Sequence, residues 1–405
     1  MNLKNNKILI AISVLIFISC DKNQNIENTE IGKETNEIKI ETNNIQDSSD
    51  ISEIIEEVKI IKINETKEGL IGGIEKLLLL NNNYVIFDPF YSNRIVIYDI
   101  NGNFVKSLVN MGSGPKELTK LTEVWINEKE ELEVYDNNLN KIQTYDKNLN
   151  LSKTLFLKSK KLFGSITKLS SDPDKYINYS GYNGFQNKGK YFKLAILDSV
   201  FNIEKTFFEY NKSLNNALIP TPISPFHKTK HNKIEFTQNF DPTVYTIDSN
   251  YKLEKKYILN YSPKPFPRNF EETLIEPNIR EFRSENLNNN KTKEILGGSY
   301  GYRGPWLESI KYSYFTSFDT NGKSFFSIYD KEKHKILFQG YSLIESEEFK
   351  IQIPPHFYTV NSQENKFVGF YEGYITLMLL KESSPFYKMV KESIDSFYII
   401  EVKFK

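Results

Sequence analysis

The chain has 405 residues, 52 Lys and Arg against 52 Asp and Glu, 39 % hydrophobic and 14 % aromatic content. That length admits one large repeat domain or two ordinary ones, and the balanced charge leaves no global field to recruit nucleic acid. The sole cysteine, Cys20, excludes a disulfide within the chain.

Residues 1–20 read MNLKNNKILIAISVLIFISC. Lys4 and Lys7 form a positive start, and the apolar run from Ile8 to Ile18 is too short to span a bilayer as a helix. With Ser19 before Cys20, this stretch resembles a lipoprotein signal peptide, in which the cysteine is lipidated and becomes the new N-terminus. Cys20 is thus the expected lipidation site, and the chain is expected on the cell envelope, anchored through lipid to a membrane, most naturally the outer membrane. Residues 21–56 are polar and contain no aromatic residue. They read as a flexible tether, with a root-mean-square span of about 30–35 Å.

From residue 57 onward the pattern is β. Glu57 to Ile63 alternates apolar and polar residues. Leu77–Leu80 and Tyr84–Phe87 flank an Asn turn, Arg94–Asp99 follows, and Asn101-Gly102 is a tight-turn pair before Phe104–Val109. This first unit, about 70–110, is followed by others near 121–158, 162–208, 217–262 and 295–342. A sixth contains Phe367–Phe370, a presumed strand Tyr374–Leu380, and Phe397–Phe404. Residues 263–294, with a helical-looking run from Phe270 to Leu287, and Phe386–Ser393 after Pro385 read as helical insertions.

The units share a signature. An aromatic-Asp pair (Phe87-Asp88, Tyr135-Asp136, Phe240-Asp241, Phe318-Asp319) precedes a β-rich run ending in Asp99, Asp146, Asp248 or Asp330, with a weaker copy ending at Asp198. The end-Asp spacings are 47, 52, 50 and 82 residues. Repeats of several strands near this period indicate a β-propeller. The expected fold is all-β: a six-bladed β-propeller over 57–405 with small helical insertions, its ring closed by the 57–63 strand joining blade six.

The YVIFDPF stretch at 84–90, RIVIYDINGNF at 94–104 and the G-x-G-P-x-E element Gly112–Glu117 carry a family resemblance. Together with the leader, they make the chain similar to the six-bladed propeller lipoproteins of Bacteroidetes, which look like NHL-repeat propellers. The resemblance implies an exported, lipid-anchored propeller and supplies no catalytic residues.

Several constellations have two readings each. Gly112 to Glu117 is either a ligand loop, with Glu117 as acceptor, or a blade-to-blade turn. Asp88, Asp136, Asp241 and Asp319 either ring the channel to attract a cation or polyhydroxyl ligand, or cap turns. Tyr300–Trp306 reads as a loop in which Tyr302, Arg303 and Trp306 stack on a sugar or peptide, or else anchor the insertion. His227 and His231 lie four apart in a Pro-flanked, non-helical loop, and no HExxH occurs. No metal site or cofactor is expected.

Two functions follow. One is a non-catalytic binding or scaffold module that docks a peptide, glycan or envelope protein. The alternative is a propeller hydrolase or lyase with acids, and a metal if one binds, gathered in the central channel.

Overall fold

Tyr84-Val85-Ile86-Phe87 has no polar member, so a strand built from it must be covered on both faces. The computed structural model describes residues 36–405 apart from 46–48, 109–110, 158–161, 163, 216–223, 230–232, 239–240, 264–300, 320–322, 342–343, 347–350 and 354–356. In it these runs are the middle strands of antiparallel sheets stacked side by side around an axis.

Three strands precede the first blade: β1 (Asn36–Glu41), β2 (Ser49–Asp50) and β3 (Ile55–Lys62). Blade one is β4 (Lys76–Leu80), β5 (Asn83–Asp88), β6 (Arg94–Asp99) and β7 (Phe104–Ser107). Blade two is β8 (Glu123–Ile126), β9 (Leu132–Asp136), β10 (Lys141–Tyr145) and β11 (Leu151–Phe156). Blade three is β12 (Ser165–Ser171), β13 (Asp174–Tyr179), a short β14 (Phe185–Asn187), β15 (Lys190–Leu197) and β16 (Ile203–Tyr210). Blade four is β17 (Phe226–Lys228), β18 (Ile234–Phe236), β19 (Thr243–Ile247) and β20 (Leu253–Ser262), and blade five is β21 (Gly301–Glu308), β22 (Tyr312–Phe318), β23 (Ser324–Asp330) and β24 (Lys335–Gly340). After β25 (Ile344–Ser346) and β26 (Ile351–Ile353), blade six is β27 (Phe357–Asn361), β28 (Lys366–Glu372) and β29 (Phe397–Phe404), completed by β3.

The first strands of successive blades touch: β27 with β4, β4 with β8, β8 with β12, β17 with β21, and β21 with β27. They therefore line the axis. The expected closure of the ring by the strand near 57–63 is present, since β3 pairs antiparallel with β29.

Each seam between blades holds its own apolar cluster. On β5, Val85 and Phe87 pack against Val124 and Val134 of blade two, while Tyr84 and Ile86 pack against Val368 and Ile399 of blade six. Corresponding clusters fill the other seams. In all six blades the register slips by one residue between the third and fourth strands, at 97/98, 144/145, 196/197, 244/245, 328/329 and 403/404. Such bulges increase the local twist, and their recurrence marks the repeat even where the sequence similarity fades.

The turns from third to fourth strand also repeat. Asp99 Oδ1 accepts the N–H groups of Asn101 and Asn103, Asp146 Oδ1 those of Asn148 and Asn150, Asp198 Oδ1 those of Val200 and Asn202, and Asp248 Oδ1 those of Asn250 and Lys252. The residue three after each Asp has positive φ: Gly102, Leu149, Phe201 and Tyr251. Glycine is required only at 102, where a Cβ would lie 2.0 Å from the Lys62 carbonyl oxygen. Asp99→Ala frees two exposed N–H groups, so a loss of about 1 kcal/mol is expected in urea unfolding.

Two expectations are corrected. The polar stretch 21–56 is not all tether: β1 pairs in parallel with β20, β2 with β25, and residues 52–54 form a 3-10 turn before β3. The reason is the alternation Glu37-Ile38-Lys39-Ile40-Glu41, which buries Ile38 and Ile40 in the seam between blades four and five. The presumed strand Tyr374–Leu380 is instead helix α1 (Gly373–Met378), followed by α2 (Tyr387–Glu392). A short apolar run carries no period of its own, and here Thr376 Oγ1 bonds back to the Glu372 carbonyl. The helical reading of 270–287 lies outside the described residues.

Candidate functional site

Antiparallel strands place connections of two kinds at opposite edges of each blade. First-to-second and third-to-fourth strand turns have five residues at most. Among the described residues, the other edge carries the second-to-third turns and the blade-to-blade crossings, including 108–122, 180–189 and the 373–396 helical insertion. Long loops on a rigid scaffold are where binding and catalytic groups concentrate, which makes this edge the candidate working face.

Asp88 and Asp136 stand at this face, at the ends of β5 and β9, and both are buried. Asp88 accepts N–H groups of Tyr91 and Ser92 in its own turn and of Gly72 and Gly73 in the crossing that leads to β4. Burial would raise its pKa, but these bonds hold the carboxyl below the usual range. Asp136 likewise accepts the backbone N–H groups of Asn138, Leu139, Thr119 and Lys120, and the Thr119 hydroxyl adds a further bond. Asp241 accepts from Thr243 N–H, Gln238 Nε2 and Tyr245 Oη. Asp319 accepts from Lys323 N–H and Tyr341 Oη. Each acid fastens loops to its own blade, and the acids do not converge on one point.

The Gly112–Glu117 loop closes on itself. Glu117 Oε2 accepts the Gly114 N–H at 2.8 Å, and the Gly112 N–H bonds the Leu118 carbonyl. Gly112 has φ +155°, and a Cβ there would meet the Glu117 carboxylate at 2.1 Å. Beneath it lies Lys141, fully buried, whose Nζ donates to the Gly114 carbonyl at 3.1 Å. Burial draws its ammonium below the usual lysine range, while Asp136 and Glu117 act the other way.

The Tyr302, Arg303 and Trp306 segment is not a loop. It belongs to β21, the axis-lining strand of blade five. Trp306 is 1 % exposed, stacks on Phe315 and donates its indole N–H to Glu235 Oε2 at 3.1 Å. A buried ring cannot also stack on a ligand; the side chains of Tyr302 and Arg303 lie outside the described residues. His227 is likewise on a strand, β17, with Nε2 3.1 Å from the Glu308 carbonyl oxygen. His231, His356 and Cys20 lie outside the described residues. Among the described residues, no three His, Cys, Asp or Glu side chains gather as a metal site, and no helix is long and apolar enough to cross a membrane.

Sequence reasoning missed the charges in the seams. Lys256 Nζ lies 2.5 Å from Glu235 and 2.7 Å from Glu308, and Lys331 lies 2.8 Å from Glu308. Burial and the neighbouring Glu308 push Glu235 up to about 8. Burial would also raise Glu308, but Lys256 and Lys331 hold it well below the usual range. A parallel cluster joins Lys168 to Glu133 and Asp174, and Trp125 donates its N–H to Glu133. The available signal was a single acid inside a doubly covered strand, as in Ile234-Glu235-Phe236. At the rim, β1 and β24 border a groove of about 600 Å³ lined by Glu37, Lys39, His334 and Lys335, among others.

The fold is shared with solved structures. One described as an exported protein of Bacteroides fragilis aligns over 91 % of this chain and 100 % of its own, at 15 % identity and a TM-score of 0.70. A member of the DUF4221 family from Bacteroides vulgatus covers 87 % of this chain and 97 % of its own, at 11 % identity and a TM-score of 0.51. No curated protein matches the chain in sequence. The sequence profile of DUF4934, a domain of unknown function, matches residues 35–397, spanning β1 to the start of β29. The chain, a six-bladed propeller that shares its fold with solved Bacteroides proteins, therefore belongs to the DUF4934 family.

Proposed function

We propose that this protein is a lipid-anchored envelope propeller that binds a peptide, glycan or protein partner on its long-loop face. The observation that carries the reading is the division of labour at that face. Asp88 and Asp136 there are taken up by backbone N–H groups, while Phe90 and Tyr91 in the Asp88 loop stay 74 % and 78 % exposed. Groups that could do acid–base chemistry are engaged in structure, and groups that favour contact face water. The leader resemblance at Cys20 supports the anchor, and the polar segment after it supports a short tether ahead of β1.

The anchor is tested by growth with an alkyne fatty acid. Label on the wild type that disappears in Cys20→Ser supports it, and an unlabelled wild type defeats it. Binding is tested by crosslinking in intact envelopes from photoreactive residues at position 91 on the long-loop face and position 148 on the hairpin face. The expected result is a discrete adduct from position 91 alone. Adducts from neither, or only from 148, would defeat the choice of face.

A further inference from the structure

The turn after β5 holds its exposed ring in an unusual seat. Asp88 ties the turn and the incoming crossing together through four backbone N–H groups, which fixes the main chain that carries Tyr91. The ring lies across two consecutive glycines. A Cβ at Gly72 would sit 2.5 Å from Tyr91 Cβ, and one at Gly73 would sit 2.6 Å from Tyr91 Cδ2. Neither glycine has a left-handed φ, so space for the ring, not backbone freedom, calls for them.

Blade two is an internal control. Asp136 builds the same fastening with Thr119 and Lys120 where blade one has the glycines, and Asn137-Asn138 where it has Phe90-Tyr91. The fastening thus needs neither aromatic rings nor glycines. Blade one carries both, and the result is a supported ring with most of its surface in water.

We infer that Tyr91, with Phe90 beside it, is a stacking platform for a sugar ring of a polysaccharide; this rests on the binding-module reading above. Two aromatic side chains about three-quarters exposed offer roughly 300 Å², well short of the ~800 Å² per partner that a stable protein interface buries. That area suits one or two sugar units. Polar side chains follow directly in the chain: Asn93, and Arg94 with its Nη1 donating to the Glu68 carbonyl at 3.1 Å. Such groups match a ligand that is flat on one side and rich in hydroxyls at its edge.

The test is affinity gel electrophoresis of the mature chain in gels containing a soluble β-glucan, mannan, galactan or xylan. At least one should retard the wild type. Tyr91→Ala should weaken that binding by about tenfold, and Phe90→Ala by a smaller factor. Gly73→Ala keeps the tyrosine but unseats it, and should also weaken binding. Phe156→Ala removes a ring that is 58 % exposed on β11 and should change nothing. Thermal unfolding of all four variants shows whether each is folded. Lack of retardation by all four polysaccharides, or retardation that survives Tyr91→Ala, overturns the platform. If no polysaccharide binds but crosslinking from position 91 still yields a protein adduct, the glycan assignment falls and the binding-module reading stands.

Discussion

Above pH 8, where Glu235 ionises, Lys256→Met is expected to lower the unfolding free energy by about 3 kcal/mol, because it removes the cation that Glu235 and Glu308 share. Methionine keeps most of the lysine stem, so the loss reports charge more than volume. For a domain of this size that corresponds to a drop of roughly 4 °C in Tm, readable by calorimetry. Lys331 still serves Glu308, so Glu235 is the group left stranded. Glu235→Gln separates the charge from the packing. A carboxyl with a raised folded pKa contributes stability that is complete below its unfolded pKa and is lost as pH rises through the folded value, here about 8. The wild type should therefore lose stability between about pH 5 and 8 from this group, and Glu235→Gln should flatten that slope and be relatively more stable at pH 8. Glu308 has the opposite sign: its contribution is present above the ordinary carboxylate range and fades as acid is added. An unchanged pH slope in Glu235→Gln would remove Glu235 from this account.

Asp136→Ala should cost about 3 kcal/mol as well, several times the cost of Asp99→Ala. Asp136 is fully buried and serves four backbone N–H groups and the Thr119 hydroxyl, whereas Asp99 serves exposed groups that water can take over. Its loss also removes a countercharge near buried Lys141. Hydrogen exchange should rise first at Thr119, Lys120, Asn138 and Leu139, before the sheet of blade two opens. Uniform protection at those amides in the variant would show that the carboxylate does not hold the two loops together.

Much of the architecture is legible in local chemistry. The hairpin Asp residues with their Asn or Gly partners, and the runs with no polar face, each specify a local conformation that needs no distant contact. The failures have a common cause. Asp88 and Asp136 look alike as loop fasteners or ligand groups until their hydrogen-bond partners, 15 to 17 residues earlier, are known. Trp306 reads as a loop aromatic because glycine and proline surround it, yet it sits on an axial strand. Glu235 and Glu308 are 73 positions apart and meet only because blade four packs against blade five.

By itself the sequence determined most of the blade strands, the third-to-fourth strand turns and the number of blades, because each rests on side chains acting on their own backbone or on the face beside them. Only the tertiary structure decided that residues 36–41 add a fifth strand to blade four, that the repeated acids are occupied, and that Tyr91 is seated yet exposed. Those outcomes depend on which surfaces meet across a seam, and closure of the ring brings together groups that no short-range pattern relates.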